Sequence, residues 1–146
     1  MREINLIVIH CSATREDQTF TEEDLERCHR SRGFKCTGYH FYIRKDGAII
    51  STRNVGQIGA HARGYNANSI GVCYEGGLDC NGRPADTRTK QQKHSLHVLV
   101  VLLLEDYPGS RVCGHRDLSP DANGDGVIEP EEWLKVCPCF DASTIL

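Results

Sequence analysis

The chain has 146 residues, of which 39% are hydrophobic and 25% are charged, and its formal net charge is -3 at pH 7. This length suits one domain with a single hydrophobic core, and the composition is typical of globular proteins. The small negative charge gives no sign of a nucleic-acid-binding surface, so we expect no nucleic-acid partner.

The N-terminal segment starts with charged residues, but the apolar run that follows, residues 6–9, is far too short for a signal peptide. The longest apolar stretch, residues 96–104, has about half of the ~20 residues that a helix needs to span a bilayer. We therefore do not expect the protein to insert into a membrane. We expect it to be made in the cytoplasm and to be a monomer.

Eight cysteines in so short a chain would suggest a disulfide framework in a secreted protein, but the N-terminus carries no secretion signal. Cys11 and Cys73 lie in strand-like segments, where a thiol usually packs as a small hydrophobic group. Five other cysteines could form bridges in an oxidising compartment, with the pairing left open. These are Cys28, Cys36, Cys80, Cys113 and Cys139.

The first half of the chain predicts a strand, a helix and a hairpin. Residues 5–10 contain an unbroken run of Leu, Ile and Val at 6–9, as expected of a strand that is buried on both faces. Thr21 precedes two acidic residues and a pattern of helical spacing that continues to Gly33, which predicts a helix capped by Thr21. Two β-prone runs, residues 39–44 and 48–52, flank an Asp-Gly step and predict a hairpin.

The second half continues the alternation of strands and helices. Residues 56–68 are rich in Gly, Ala and Asn and predict a loop, followed by a strand over residues 69–74. After a turn-rich surface connection, residues 89–107 predict the longest helix, capped by Thr89, and residues 111–114 a last short strand. We therefore predict a single mixed α/β domain whose central, mostly buried β-sheet of about five or six strands is flanked by two to three α-helices.

Three residues that could bind a metal ion occur at the ends of predicted elements. His10 ends the first strand, His115 follows the last strand, and Cys137 follows a short helical stretch predicted for residues 131–135. A catalytic zinc ion needs about three such ligands and one open position. Spacing alone is a weak argument, because seven histidines and eight cysteines allow many other triples.

Five sequence blocks carry a resemblance to a known family. They occur in the order found in phage lysozyme-type amidases: HCSAT (10–14), GYHFYIRKDG (38–47), HARGYNANSIGVCYEGG (61–77), GHRD (114–117) and KVCPCFD (135–141). The chain thus resembles the amidase family that also includes the animal peptidoglycan recognition proteins. The resemblance implies zinc-dependent hydrolysis of the amide bond between N-acetylmuramic acid and L-alanine in bacterial peptidoglycan.

The resemblance also implies roles for individual residues. His10, His115 and Cys137 match the zinc ligands, and Tyr39 and Lys135 match a tyrosine and a lysine that assist catalysis. Family members that only bind peptidoglycan typically lack the cysteine, so Cys137 favours an enzyme over a non-catalytic recognition module. For Tyr39 the alternative is simple packing on the sheet, and which of the two side chains moves the proton stays open.

Two further residues match positions of the family that contact substrate. His61 and Asn66 lie in the Gly-rich loop, and both side chains suit a polar ligand made of sugar and peptide. Asn66 could equally serve the turn formed by residues 65–68. We expect the remaining histidines to serve the fold; they are His29, His40, His94 and His97.

The stretch between His115 and Lys135 is longer than in the phage lysozyme pattern and contains a possible calcium loop. Residues 121–132, DANGDGVIEPEE, have the register of an EF-hand loop, with a glycine at position 6 for the sharp turn. The oxygen ligands at positions 1, 3, 5, 7 and 12 would be Asp121, Asn123, Asp125, the Val127 carbonyl group and Glu132.

Only half of the usual EF-hand is expected around this loop. Pro120 forbids a regular entry helix, which leaves an exit helix through Trp133. The alternative to calcium binding is an acidic, solvated turn. Our hypothesis is that calcium fixes the loop and thereby positions Lys135 and Cys137. The sequence as a whole predicts a phage or prophage endolysin, with a bacterial autolysin or effector as the nearest alternative.

Overall fold

The computed structural model describes residues 2–146. The main sheet consists of β1 (Leu6–Cys11), β3 (Phe41–Ile43), β4 (Ile49–Ser51), β5 (Ser69–Tyr74) and β7 (Arg111–Gly114). A separate pair is formed by β2 (Thr14–Arg15) and β6 (Gly77–Leu78), and the helices are α1 (Glu22–Ser31) and α2 (Lys90–Asp106). The predicted mixed α/β domain with a central sheet is confirmed, with five strands and two α-helices.

The strand order of the main sheet is β4-β3-β5-β1-β7, so the first strand of the chain lies between two later ones. β1 pairs in parallel with both β5 and β7, and Ile9 lies opposite Val72 on one side and Gly114 on the other. Every residue of β1 and β5 is buried. The hairpin of β3 and β4 is antiparallel, as the Asp-Gly step predicts.

The two helices cover opposite faces of this sheet. Alternate residues of β1 and β5 point to one side, where they pack in a hydrophobic core with α2. The main members of this core are Ile7, Ile9, Ile70, Val72, Leu96 and Val100. On the other face, Leu25 of α1 packs with Tyr42 and Cys73. Burial on both faces explains why the central strands are continuously apolar.

Both helices begin at the predicted threonine caps. At Thr21 and Thr89 the side-chain hydroxyl accepts a hydrogen bond from the backbone N–H three residues later, and the side chain of that residue bonds back to the threonine N–H. Such a capping box satisfies backbone donors that a helix start otherwise leaves unpaired. The predicted helix starts are therefore confirmed.

The predicted helical stretch over residues 131–135 is wrong, and so is the exit helix through Trp133. The structure has a three-residue 3₁₀ helix, Pro130–Glu132, and the backbone at Trp133 is already extended. Proline suits the first helical position, but so short a turn cannot offset the cost of starting an α-helix. Lys135 and Cys137 therefore lie on irregular backbone.

The structure also describes the cysteines and the helices that were considered for membrane insertion. All eight cysteines fall within the described residues 2–146, and each is a free thiol there. Within the same residues, no helix has the length and apolar character needed to cross a membrane.

Gln92 is a fully buried polar residue that joins α2 to the sheet. Its Nε2 donates hydrogen bonds to the carbonyl oxygens of Ile43 (3.2 Å) and Glu75 (2.9 Å), and its Oε1 accepts one from the Thr89 N–H (2.9 Å). The side chain thus bonds three backbone groups, of which the Ile43 carbonyl oxygen also accepts a hydrogen bond from the Glu75 N–H (2.9 Å).

We predict that Gln92→Met lowers the free energy of unfolding by about 2 kcal/mol, because it leaves the Glu75 carbonyl oxygen and the Thr89 N–H without this partner. Urea denaturation followed by circular dichroism measures this difference. Gln91→Met is the matched control, since Gln91 is exposed, and we expect it to change stability by no more than about 0.5 kcal/mol. Equal stability of the two variants would contradict the role given to Gln92.

Candidate metal centre

The parallel pairing of β1 with β7 brings two histidines to one edge of the sheet. His10 lies near the end of β1, and His115 directly follows β7. Their ring centroids are 4.7 Å apart. Cys137 reaches the same place from the C-terminal segment, and one ligand atom from each of the three residues lies within 4.8 Å of the others. The structure thus brings together the three predicted metal ligands.

Cys137 is held by the backbone at the ends of both strands. The Cys11 N–H donates a hydrogen bond to Cys137 Sγ (3.1 Å), and the Arg116 N–H donates to the Cys137 carbonyl oxygen (2.8 Å). An N–H donor stabilises negative charge on the sulfur, which is the form that binds metals. Two imidazoles and a thiolate are a ligand set that suits zinc, so the residues present fit this metal.

The environment keeps the two candidate histidine ligands in the neutral form that metal binding needs. Burial lowers the pKa of His10 well below its usual value, and the nearby His61, His115 and Lys135 lower it further. Burial also lowers the pKa of His115. Both rings are therefore neutral at neutral pH and available as ligands.

Cys11 also lies beside this centre, but as a thiol. Hydrogen bonding to the Cys137 side chain, together with burial, raises the pKa of Cys11 to about 12. At neutral pH its side chain therefore stays protonated, and Cys11 is not one of the three residues whose ligand atoms converge.

Tyr39 and Lys135 both reach this centre. The Tyr39 ring centroid lies 4.9 Å from that of His10, and burial raises the pKa of Tyr39 well above its usual value, so the phenol keeps its proton. A cavity of about 240 Å³ is lined by Tyr39, Lys135 and Cys137, and a second one, of about 270 Å³, again by Lys135. His61 and His115 also border both cavities, so the two cavities adjoin beside the candidate ligand His115.

The two residues expected to contact substrate have contacts within the protein. The His61 Nδ1 lies 2.9 Å from Nε2 of His10, and its Nε2 lies 3.1 Å from the Ser69 hydroxyl oxygen. Asn66 Oδ1 accepts hydrogen bonds from the N–H groups of His61 and Ala62, both 2.9 Å long. This is the turn role considered for Asn66, while substrate contact by either residue stays a prediction.

Three other histidines contact the backbone as expected of fold residues. His29 Nδ1 accepts a hydrogen bond from the Gly38 N–H, and His40 Nδ1 accepts one from the Gly71 N–H. On α2, His97 Nδ1 lies 2.9 Å from the carbonyl oxygen of Ile145. The fourth, His94, is exposed on the same helix.

Sequence reasoning missed Ser69 and Gly71 as parts of this region. A Cβ atom at Gly71 would lie 2.6 Å from the His61 ring, so the glycine makes room for that ring. The signal was present, because a glycine inside an apolar strand often marks a close approach of another group. Ser69 gave no such signal, since a serine at the start of a strand is common.

In the possible calcium loop, the structure brings together three of the predicted ligands. Carboxylate oxygens of Asp121, Asp125 and Glu132 lie within 4.8 Å of one another. Asp121 Oδ2 accepts a hydrogen bond from the Gly126 N–H (2.7 Å), and Asp125 Oδ1 accepts one from the Val127 N–H (2.9 Å). Asn123 and Val127 belong to the same exposed loop.

Comparison with known proteins identifies the family. The sequence profile of the N-acetylmuramoyl-L-alanine amidases matches residues 1–130. The chain belongs to this family. The family match confirms the resemblance drawn from the five sequence blocks. Lys135 and Cys137 lie beyond the matched residues, and it is the fold that brings Cys137 to the two histidines.

Individual relatives agree with this assignment. An uncharacterised protein of Haemophilus influenzae is 52% identical over 96 residues, which are 66% of this chain and 83% of that protein. The endolysin of Enterobacteria phage T3 is 38% identical over 135 residues, which are 92% of this chain and 80% of the endolysin. The solved structure of the N-acetylmuramoyl-L-alanine amidase LysC from Clostridium intestinale superimposes with a TM-score of 0.73 at 28% identity and covers 96% of this chain and 79% of that one.

Proposed function

We propose that this member of the amidase family hydrolyses the amide bond between N-acetylmuramic acid and L-alanine in bacterial peptidoglycan, with zinc bound by His10, His115 and Cys137. The observation that carries the proposal is the convergence of two neutral imidazoles and a thiol, within 4.8 Å, at a cleft. The similarity to phage endolysins supports a role in cell-wall lysis. Cys137 completes the ligand set, which favours an enzyme over a non-catalytic recognition module.

A zinc ion held by these residues would activate water and polarise the carbonyl group of the scissile amide. Tyr39 keeps its phenol proton because its pKa is raised, so it donates a hydrogen bond to the carbonyl oxygen as negative charge develops there. The Lys135 ammonium group, on the cleft wall, stabilises the same charge. Two adjoining cavities meet at His115 and Lys135, which suits an amide bond that joins a sugar to a peptide.

We predict that Cys137→Ser loses bound zinc and that its release of stem peptides from purified cell walls falls to background, because one of three ligands is gone. Zinc content is measured by atomic absorption, and the released products by mass spectrometry. Cys139→Ser is the matched control, because this neighbouring thiol is outside the ligand group, and we expect it to keep zinc and activity. Cleavage of a sugar linkage by the wild type, or full activity of Cys137→Ser, would contradict the proposal.

We predict that Tyr39→Phe lowers kcat by about 10²-fold to 10³-fold and leaves zinc content unchanged, because it removes one hydrogen-bond donor to the developing oxyanion. Steady-state kinetics on soluble muropeptides measure the change. The control is Tyr42→Phe, since the Tyr42 hydroxyl donates to the Phe20 carbonyl oxygen within the fold. It should lower the melting temperature but not kcat. If Tyr39→Phe kept full activity, Tyr39 would be a packing residue only.

We also propose that residues 121–132 bind calcium and that the ion stabilises the segment that carries Lys135 and Cys137. The carboxylates of Asp121, Asp125 and Glu132 converge in the EF-hand register, with Asn123 and the Val127 carbonyl group as the other ligands. The two ends of the loop are tied together by a hydrogen bond from the Leu134 N–H to the Ser119 hydroxyl oxygen (3.1 Å). An ordered loop would thus fix the backbone directly before Lys135.

We predict that millimolar calcium raises the melting temperature of the wild-type protein, because an ion that binds only the folded state stabilises it. Glu132→Gln should abolish this increase. Glu131→Gln, a neighbouring acidic residue outside the cluster, should retain it. The proposal fails if calcium leaves the melting temperature of the wild type unchanged, or if the two variants respond alike.

A further inference from the structure

We propose that His61 is a positioning residue that fixes which ring nitrogen of His10 faces the metal, with Ser69 holding His61 in turn. This inference rests on the zinc site proposed above. It assigns His61 a place behind a metal ligand, and not at the substrate.

The three side chains form one buried line of polar contacts. The Ser69 hydroxyl oxygen lies 3.1 Å from His61 Nε2, and His61 Nδ1 lies 2.9 Å from His10 Nε2. Ser69 is 0% exposed, His10 1% and His61 9%. Buried polar groups of this kind depend on one another for hydrogen bonds, since water does not reach them freely.

The geometry limits the protonation of the two rings. A neutral imidazole has one N–H donor and one acceptor nitrogen, so one of the rings donates across the 2.9 Å contact and the other accepts. If His10 donates from Nε2, its Nδ1 has a free lone pair for a metal ion. If His61 donates instead, Nδ1 of His10 carries the proton and cannot bind a metal ion.

The Ser69 hydroxyl group, which can donate or accept, also satisfies the arrangement that is competent for metal binding. When His61 accepts at Nδ1, its own proton is on Nε2, and the Ser69 hydroxyl oxygen is placed to accept it. Metal-binding histidines commonly donate their second N–H to such a partner, which fixes both the tautomer and the orientation of the ring. Here the partner is a second histidine that is itself anchored.

The fold holds the His61 ring in this place from two sides. Gly71 leaves the space that the ring occupies, because a Cβ atom there would lie 2.6 Å from it. Asn66 fixes the backbone by accepting the N–H groups of His61 and Ala62. Both ring nitrogens of His61 are engaged within the protein, so neither is left to hydrogen-bond a substrate.

The test measures zinc affinity by competition with a chromophoric chelator, independently of cell-wall hydrolysis. His61→Phe keeps a ring but removes the acceptor, and we expect zinc binding to weaken by about 10-fold to 100-fold. His61→Asn should bind zinc within a few-fold of the wild type, because its amide oxygen can take the place of Nδ1. His97→Gln, which removes a histidine on α2, is the control and should leave the affinity unchanged.

Nitrogen NMR of the metal-free wild type gives a second readout, in which we expect His10 to carry its proton on Nε2. The inference is overturned if His61→Phe binds zinc like the wild type and only KM rises, since His61 would then be a substrate contact. A proton on Nδ1 of His10 would overturn it as well. If His61→Phe does not fold, zinc binding by Ser69→Ala tests the inference instead. We expect this variant to bind zinc several-fold more weakly, and unchanged binding would count against the inference.

Failure of the proposed function would look different. A wild-type protein that binds no zinc contradicts the zinc site itself, and the tautomer of His10 then still reports whether His61 orients its ring. A wild-type protein that binds zinc but does not cleave peptidoglycan contradicts only the proposed reaction. The two proposals can therefore fail separately.

Discussion

The parallel pairing of β1 with β5 and β7 is the constraint on which the rest of the structure depends. β1 is buried on both faces and hydrogen-bonded on both edges, so its register is fixed by its neighbours. This register places the ends of β1 and β7 side by side, and His10 and His115 leave the sheet together. A shift of the β1 register by one residue would turn His10 to the opposite face of the sheet and separate it from the other candidate ligands.

Burial then determines the chemistry of the residues gathered there. Removal from water lowers the pKa of His10 and His115 and raises that of Tyr39. At neutral pH the two imidazoles are therefore neutral and the phenol keeps its proton. Burial disfavours the imidazolium form of the histidines and the phenolate form of the tyrosine, and both shifts suit the proposed reaction. Because His61 and Ser69 are buried as well, they depend on each other for a hydrogen bond, and His61 in turn contacts His10.

The C-terminal segment reaches the centre without belonging to the sheet. Cys137 is fixed by hydrogen bonds to the backbone of Cys11 and Arg116, and the inserted loop before it is closed by the contact between Ser119 and Leu134. The backbone here is irregular, so the sequence has no helical or strand periodicity that could place it, and the predicted helix over residues 131–135 is absent. A metal ion in the loop would add a further attachment.

The sequence by itself predicted the strands of the main sheet, the two capped helices and the three candidate metal ligands. Continuous apolar runs, threonine caps and the Asp-Gly step are local signals, and the five ordered blocks carried the resemblance to the amidases. Only the tertiary structure decided how those residues meet: that His61 stands behind His10, that Gly71 makes room for it, and that Asn66 serves its backbone. These contacts join residues far apart in the chain, and their distances follow from strand register and packing, which no local pattern encodes.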